Sequence, residues 1–256
     1  MSRLPALAFL ILYPVAASAQ GPVIPEVRYP ALPAQAAAVA GFVPSGWRLD
    51  QQAEGDLNGD GRADIAFVVR MNDAANIVRH NILGEDPFNT NPRMLGIAFA
   101  APGGGYRLAL QDRTLIPRRE IPAQADMLDP EDRGLEIARG TLKLKLTRFM
   151  SAGSWSAGST SFTFRWQAGA FRLIGFDFVN VQRNTSCMVT FSLNYLTRRA
   201  RLEAAYADSE AAGEVRWRRL SGRPLRTIGD IGNGLEFDPE GMITGYPIDC
   251  AERPDE

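Results

Sequence analysis

The densest chemistry in this chain lies in the run Gly55-Asp56-Leu57-Asn58-Gly59-Asp60-Gly61-Arg62-Ala63-Asp64. Oxygen-bearing side chains stand at every second position from Asp56 to Asp60, and a further carboxylate, Asp64, closes the run. That spacing suits a hard cation. Calcium takes about six to eight oxygens at roughly 2.3–2.6 Å. Asp56, Asn58, Asp60, the backbone carbonyl of Arg62 and a bidentate Asp64 would supply most of them, with water completing the shell. Gly59 and Gly61 allow the positive-φ bends that turn such oxygens toward one centre. The same residue types also build metal-free turns for purely conformational reasons. Three carboxylates in one short loop repel each other, however, and a divalent cation removes that repulsion. Calcium in a structural role is therefore expected, at the affinity of about 10⁻⁴–10⁻³ M usual for extracellular modules.

Other groups with chemistry are scattered. His80 is the only histidine, which leaves no His-rich zinc site. No Gly-x-Ser-x-Gly elbow accompanies it. A hydrolase would have to assemble its site in three dimensions from carboxylates such as Glu54, Asp112, Glu120, Glu136 and Asp177. Trp155 lies in a serine-rich loop running from Ser151 to Ser161, where an aromatic ring can stack on a sugar or anchor a partner, or fold back onto the core. Eight arginines between Arg198 and Arg226 face only Glu203, Asp208, Glu210 and Glu214. If the strand faces align, Arg199, Arg201, Arg216 and Arg218 form a basic stripe able to meet envelope anions. The plainer reading of such a stripe is a solvated face.

The elements that must position these groups are strands. Phe162, Phe164 and Trp166 alternate with Ser161, Thr163 and Arg165, and Phe171 to Phe178 return after the turn Gln167 to Ala170, which predicts a hairpin. Leu142, Leu144 and Leu146 alternate with Lys143, Lys145 and Thr147 after a turn at Arg139-Gly140, which predicts a second. Val189, Phe191, Leu193 and Tyr195, turning near Thr197-Arg198 into Ala200 to Tyr206, predict a third. Ile65 to Val69 and Met94 to Ala101 are apolar throughout, as in strands covered on both faces. Val215 to Arg218 and Leu225 to Ile228 read as shorter strands. The pattern gives an all-β fold, an antiparallel meander of about three four-stranded groups near 47–116, 133–178 and 187–228. Propeller-like blades, an open sandwich and an open barrel all accommodate it.

Ahead of the strands, Pro22 to Pro33 reads as an extended surface segment, and the Ala-rich stretch 34–40 before Gly41 as one short helix. Residues 20–46 thus form an N-terminal segment, 47–250 a single β domain and 251–256 a tail. Arg3, the apolar run Leu4 to Val15 and Ala16-Ala17-Ser18-Ala19 have the three parts of a secretory signal over 1–19, with cleavage expected between Ala19 and Gln20. The apolar run is shorter than the roughly 20 residues a membrane span needs, so no stable transmembrane anchor is expected. Removing Arg3 with that leader from the 28 basic and 29 acidic side chains leaves a net charge of −2. Such a balance gives no general drive toward nucleic acid or anionic membrane. An even count of two cysteines in an exported chain favours a Cys187–Cys250 disulfide.

The acidic run and the strand after it, Gly55 to Val68, resemble an FG-GAP or VCBS-type repeat of the kind found in integrin-like propeller blades. An EF-hand is excluded, because its twelfth loop position would be Phe67. The resemblance spans roughly Trp47 to Leu115, with an insertion from Asn72 to Pro92, and the acidic loop occurs once. It implies calcium held between two strands of one blade by Asp56, Asn58, Asp60, the Arg62 carbonyl and Asp64. As a whole the chain resembles bacterial secreted proteins carrying one such element, a likeness that names no activity. The functional expectation is a periplasmic or secreted, calcium-stabilised, non-catalytic module that binds a protein, a glycan or another envelope component. The alternative is a periplasmic hydrolase.

Overall fold

The computed structural model describes residues 21–128, 134–244 and 250. The leader expected over 1–19, its cleavage point and the tail over 251–256 lie outside the described residues. Among the described residues fourteen strands follow in chain order: β1 (Gln35–Ala36), β2 (Trp47–Gly55), β3 (Asp64–Met71), β4 (Ile77–Val78), β5 (Phe88–Asn89), β6 (Arg93–Ala100), β7 (Tyr106–Asp112), β8 (Leu135–Ala138), β9 (Thr141–Phe149), β10 (Ser156–Gln167), β11 (Ala170–Gln182), β12 (Cys187–Asn194), β13 (Arg199–Tyr206) and β14 (Glu214–Arg219).

The alternating runs form the hairpins that their turns dictate. Arg139-Gly140 and Ala168-Gly169 both take positive φ at two successive residues, the geometry whose twist matches the flanking strands. Phe162 pairs with Phe176 across β10 and β11 and with Leu144 across β10 and β9, so one face of the sheet becomes continuously apolar. The second and third strand groups are not separate units. They fuse into one seven-stranded antiparallel sheet in the order β14-β13-β12-β11-β10-β9-β8. The first group, joined by β1, makes a five-stranded sheet in the order β1-β7-β6-β3-β2. β2 lies against β8, where a Cβ at Gly55 would press into Ile137 at 2.6 Å, so the two sheets adjoin along one side. The result is an open sandwich or half-barrel.

The main core lies between the sheets. Ala66, Val68, Leu95 and Ile97 from β3 and β6 meet Leu142, Leu144, Leu146, Phe162, Phe164, Phe176 and Phe178 from the larger sheet. The opposite face of β3 and β6 presents Ile65, Phe67, Val69, Met94 and Ala98, and the N-terminal segment covers it with Leu32 and Phe42. Phe42 stacks on Phe67 at 5.2 Å. The Pro-rich segment is thus a cover that seals a second core, and the uniformly apolar strands are buried on both faces.

Two local expectations are corrected. The helix expected over 34–40 is absent; its residues form β1, paired with β7, and lead into a 3₁₀ turn at Val39–Phe42. Seven residues are too few to repay helix nucleation when a sheet edge offers the same backbone groups partners. The strand expected at Leu225 to Ile228 is also absent, reduced to a single bridge between Arg172 and Thr227 followed by a 3₁₀ turn. Pro224 ahead of it lacks the N–H that a ladder needs.

A buried ion network ties β2, β3 and β6 to the loop after β7. A bulge at Asp50 turns its carboxylate toward Arg93, whose Nε donates to it at 2.6 Å. Arg93 also grips Asp126 with both terminal nitrogens, at 2.6 and 2.9 Å, and Arg70 adds a bond to the same carboxylate at 3.1 Å. Burial opposes the ionisation of Asp126, but the hydrogen bonds and charge of Arg93, the Leu128 N–H and the charge of Arg70 together hold its carboxyl below the usual range.

Candidate functional site

The acidic loop joins β2 to β3, two adjacent antiparallel strands. Asp64 is fully buried at the start of β3. It accepts the Leu57 and Asn58 N–H groups at 2.9 and 3.3 Å and the Ala100 N–H at 2.9 Å, tying both ends of the loop to β6. Asp56 curls the loop inward by accepting from Gly59, Asp60 and Gly61. Gly59 and Gly61 both take the positive φ that this path needs. Asp60 accepts from the Arg62 N–H and from the Asn58 amide, and its carboxylate meets the Arg62 guanidinium. The Arg62 N–H bond first, with Asn58 and the Arg62 charge, holds the Asp60 carboxyl below its ordinary range. Among the described residues no three acidic, imidazole or thiol side chains converge on one metal-binding centre. The loop is organised by N–H donors, and among the described residues Arg62 is the one cation in an ion pair with it, at Asp60.

A second feature was not read from the sequence. A cleft of about 440 Å³ opens at one end of the sandwich, between the loop after β7, the ends of β9 and β11, the start of β10 and the segment near Glu236. Arg148 and Asn180 line it, both on the apolar face of the large sheet. The Arg148 guanidinium lies 4.3 Å from the centre of the Phe178 ring, and burial pulls its pKa below the ordinary arginine value. Exposed Glu120 and Glu236 border the mouth. The pattern Leu142, Leu144, Leu146 carries one signal for this site, because the same alternation puts Arg148 on the inner face.

Trp155 sits between the lining residues Ser154 and Ser156 and is 62% exposed. It does not fold back onto the core. Arg183 holds the loop by donating to the Met150 and Ser154 carbonyls at 2.9 and 2.8 Å. The guanidinium of Arg183 also stacks over Phe149 at 4.7 Å and Trp155 at 5.8 Å. The serine-rich loop is thereby pinned, with Phe149 lining the cleft and exposed Trp155 next to the lining residues Ser154 and Ser156.

The remaining candidates are dispersed. Arg199 and Arg201 share one face of β13, but the register pairs them with Arg219 and Trp217, while Arg216 and Arg218 pair with Leu202 and Ala200 on the opposite face. A single stripe of the four is therefore not formed. Arg199 stacks on Trp217 at 4.4 Å, Arg201 binds Glu203 at 2.6 Å, and Arg216 meets Glu214. Asp112 caps the turn after β7 through the Thr114 and Leu115 N–H groups, and Asp177 accepts from Ser192. Glu54 and Glu136 are exposed on β2 and β8. Only Glu120 of that set reaches the cleft. His80 accepts the Ile82 N–H at Nδ1, so Nε2 carries the proton donated to the Glu85 carbonyl; its role is to hold the insertion together. Cys187 and Cys250 form a disulfide with their Cα atoms 5.6 Å apart, fixing residue 250 to the start of β12. Among the described residues no helix is long and apolar enough to cross a membrane. Comparison with protein-family models, curated proteins and solved structures returns no match.

Proposed function

We propose that this chain is an extracytoplasmic, calcium-stabilised, non-catalytic module that binds a cell-envelope glycan at the cleft. The observation carrying the reading is the pair of exposed rings, Phe149 and Trp155, clamped by Arg183 beside the opening. Rigid aromatic faces beside a concave, partly polar surface stack on sugar rings at small entropic cost. The leader-like sequence and the disulfide support an exported location. Charge balance in the acidic loop supports calcium, since one arginine faces three carboxylates. Asp56, Asn58, Asp60, the Arg62 carbonyl and Asp64 would hold the ion, which requires the Arg62 guanidinium to leave Asp60.

The test is hydrogen exchange with and without solubilised envelope glycan. Slower exchange over 148–156 and 233–236, lost on Trp155→Ala, is the expected result. Unchanged exchange there at millimolar glycan refutes the reading. Glu120 and Glu236 on the same cleft favour hydrolysis as the second reading. Glycan turnover that disappears in both Glu120→Gln and Glu236→Gln would establish it in place of the first.

A further inference from the structure

The floor of the cleft holds hydrogen-bond donors with nothing to donate to. On β9 the inward series Leu142, Leu144 and Leu146 continues into Arg148, and the same row across the sheet contains Gly158 on β10 and Asn180 on β11. The Arg148 side chain reaches across to Phe178, two residues before Asn180 on the same face of β11. Residues so related lie roughly 7 Å apart, which brings guanidinium and amide to one small volume. Gly158 puts no side chain in the row between them, and a Cβ there would collide with the Val179 carbonyl.

The Nε and Nη2 of Arg148 and the Nδ2 of Asn180 are buried without a hydrogen-bond partner. Nε–H and Nη2–H project from one edge of the guanidinium plane, the edge that takes two oxygens of a carboxylate or phosphate in parallel. Asn180 is 4% exposed, and Ser156 Oγ donates to its Oδ1, which leaves the amide N–H groups for the cleft. All three unpartnered atoms are donors, so the missing partner is an acceptor. A buried guanidinium without a counter-charge is costly, which makes that acceptor an anion. Exposed Glu120 and Glu236 at the mouth repel a second negative charge farther out.

We propose that Arg148 and Asn180 form an oxyanion-binding floor. The ligand of the cleft is then an organic acid with one carboxylate or phosphoryl head, which enters first, on an otherwise uncharged body that lies against the aromatic rings. The inference rests on the cleft being the binding site and adds the chemistry of what it holds.

The test uses the full mature protein labelled with ¹⁵N. Acetate and methyl phosphate are titrated at ionic strength matched with chloride, and the Arg148 Nε–H and Asn180 amide resonances are followed. Saturable shifts of both are expected, with the Asn180 midpoint moving to about tenfold higher concentration or more in Arg148→Lys. Saturation by acetate alone assigns a carboxylate head, and by methyl phosphate alone a phosphoryl head. Shifts no larger than those from chloride overturn the proposal, since the floor then holds only water; this readout needs no variant to fold. If envelope glycan slows exchange at the cleft while neither anion saturates, the oxyanion floor alone is wrong. Should the anions saturate and glycan protect nothing, the floor stands and the glycan reading falls.

Discussion

Replacing Asp126 by Asn removes the charge that two buried arginines share while keeping the side-chain volume. Arg93 would retain Asp50, but Arg70 would lose the one carboxylate it has at hydrogen-bond distance among the described residues. Breaking a buried pair from one side costs about 3–5 kcal/mol. Asp126 is 28% exposed at its side chain, so water relieves part of that cost and the lower end, about 3 kcal/mol, applies. For a domain of this size that corresponds to a fall in Tm of about 6–12 °C. Urea unfolding at pH 7 should show a lower midpoint with an unchanged slope. The acid dependence carries the sign. Because the folded carboxyl lies below its unfolded value, its contribution is complete above the ordinary carboxylate range and is lost as pH falls through the depressed folded value. The wild type and Asp126→Asn should therefore converge in acid. A variant within about 0.5 kcal/mol of wild type at pH 7 would refute a stabilising role for the network.

The acidic loop separates two roles. Calcium added after chelation should raise the melting temperature of the wild type and not of Asp60→Ala; identical wild-type curves with and without chelator would remove the ion. Asp64→Ala should cost about 3 kcal/mol even in chelator, because it strands N–H groups of Leu57, Asn58 and Ala100, as urea unfolding would measure. Replacing both cysteines by Ser should cost about 4 kcal/mol on the chain-entropy account for a separation of 63 residues, read by chemical denaturation without reductant. Gly96→Ala drives a methyl into the Phe67 ring and should cost about 1–3 kcal/mol, with Phe67→Leu restoring part of the loss in the double variant.

Much of the fold was legible because its signals are local. Leu142 to Leu146 and Phe162 to Trp166 declare their faces by alternation, and Arg139-Gly140 and Ala168-Gly169 declare their turns. The apolar runs around Phe67 and Met94 announce burial on both sides. What covers them is less legible, since Leu32 and Phe42 sit in a segment with no period. The faces of Arg216 and Arg218 depend on a register set across the seven residues between β13 and β14, and no residue type there specifies it. The cleft was invisible for another reason. Arg148 reads as one more polar residue after Thr147 until its place in the inward series is followed to the end of the strand, and its neighbour Asn180 lies on a different hairpin.

The N-terminal cover has a consequence for the order of assembly. Residues Tyr29 through Phe42 find their seats on strands β2, β3, β6 and β7, all made later in the chain. Prolines between Pro22 and Pro33 keep the waiting segment extended and unable to collapse into a helix of its own. Docking it is then a late closing step, so a tag fused ahead of Pro22 should be harmless. A trim that removes Phe42 would uncover the apolar back of the smaller sheet and leave an exposed apolar patch prone to association.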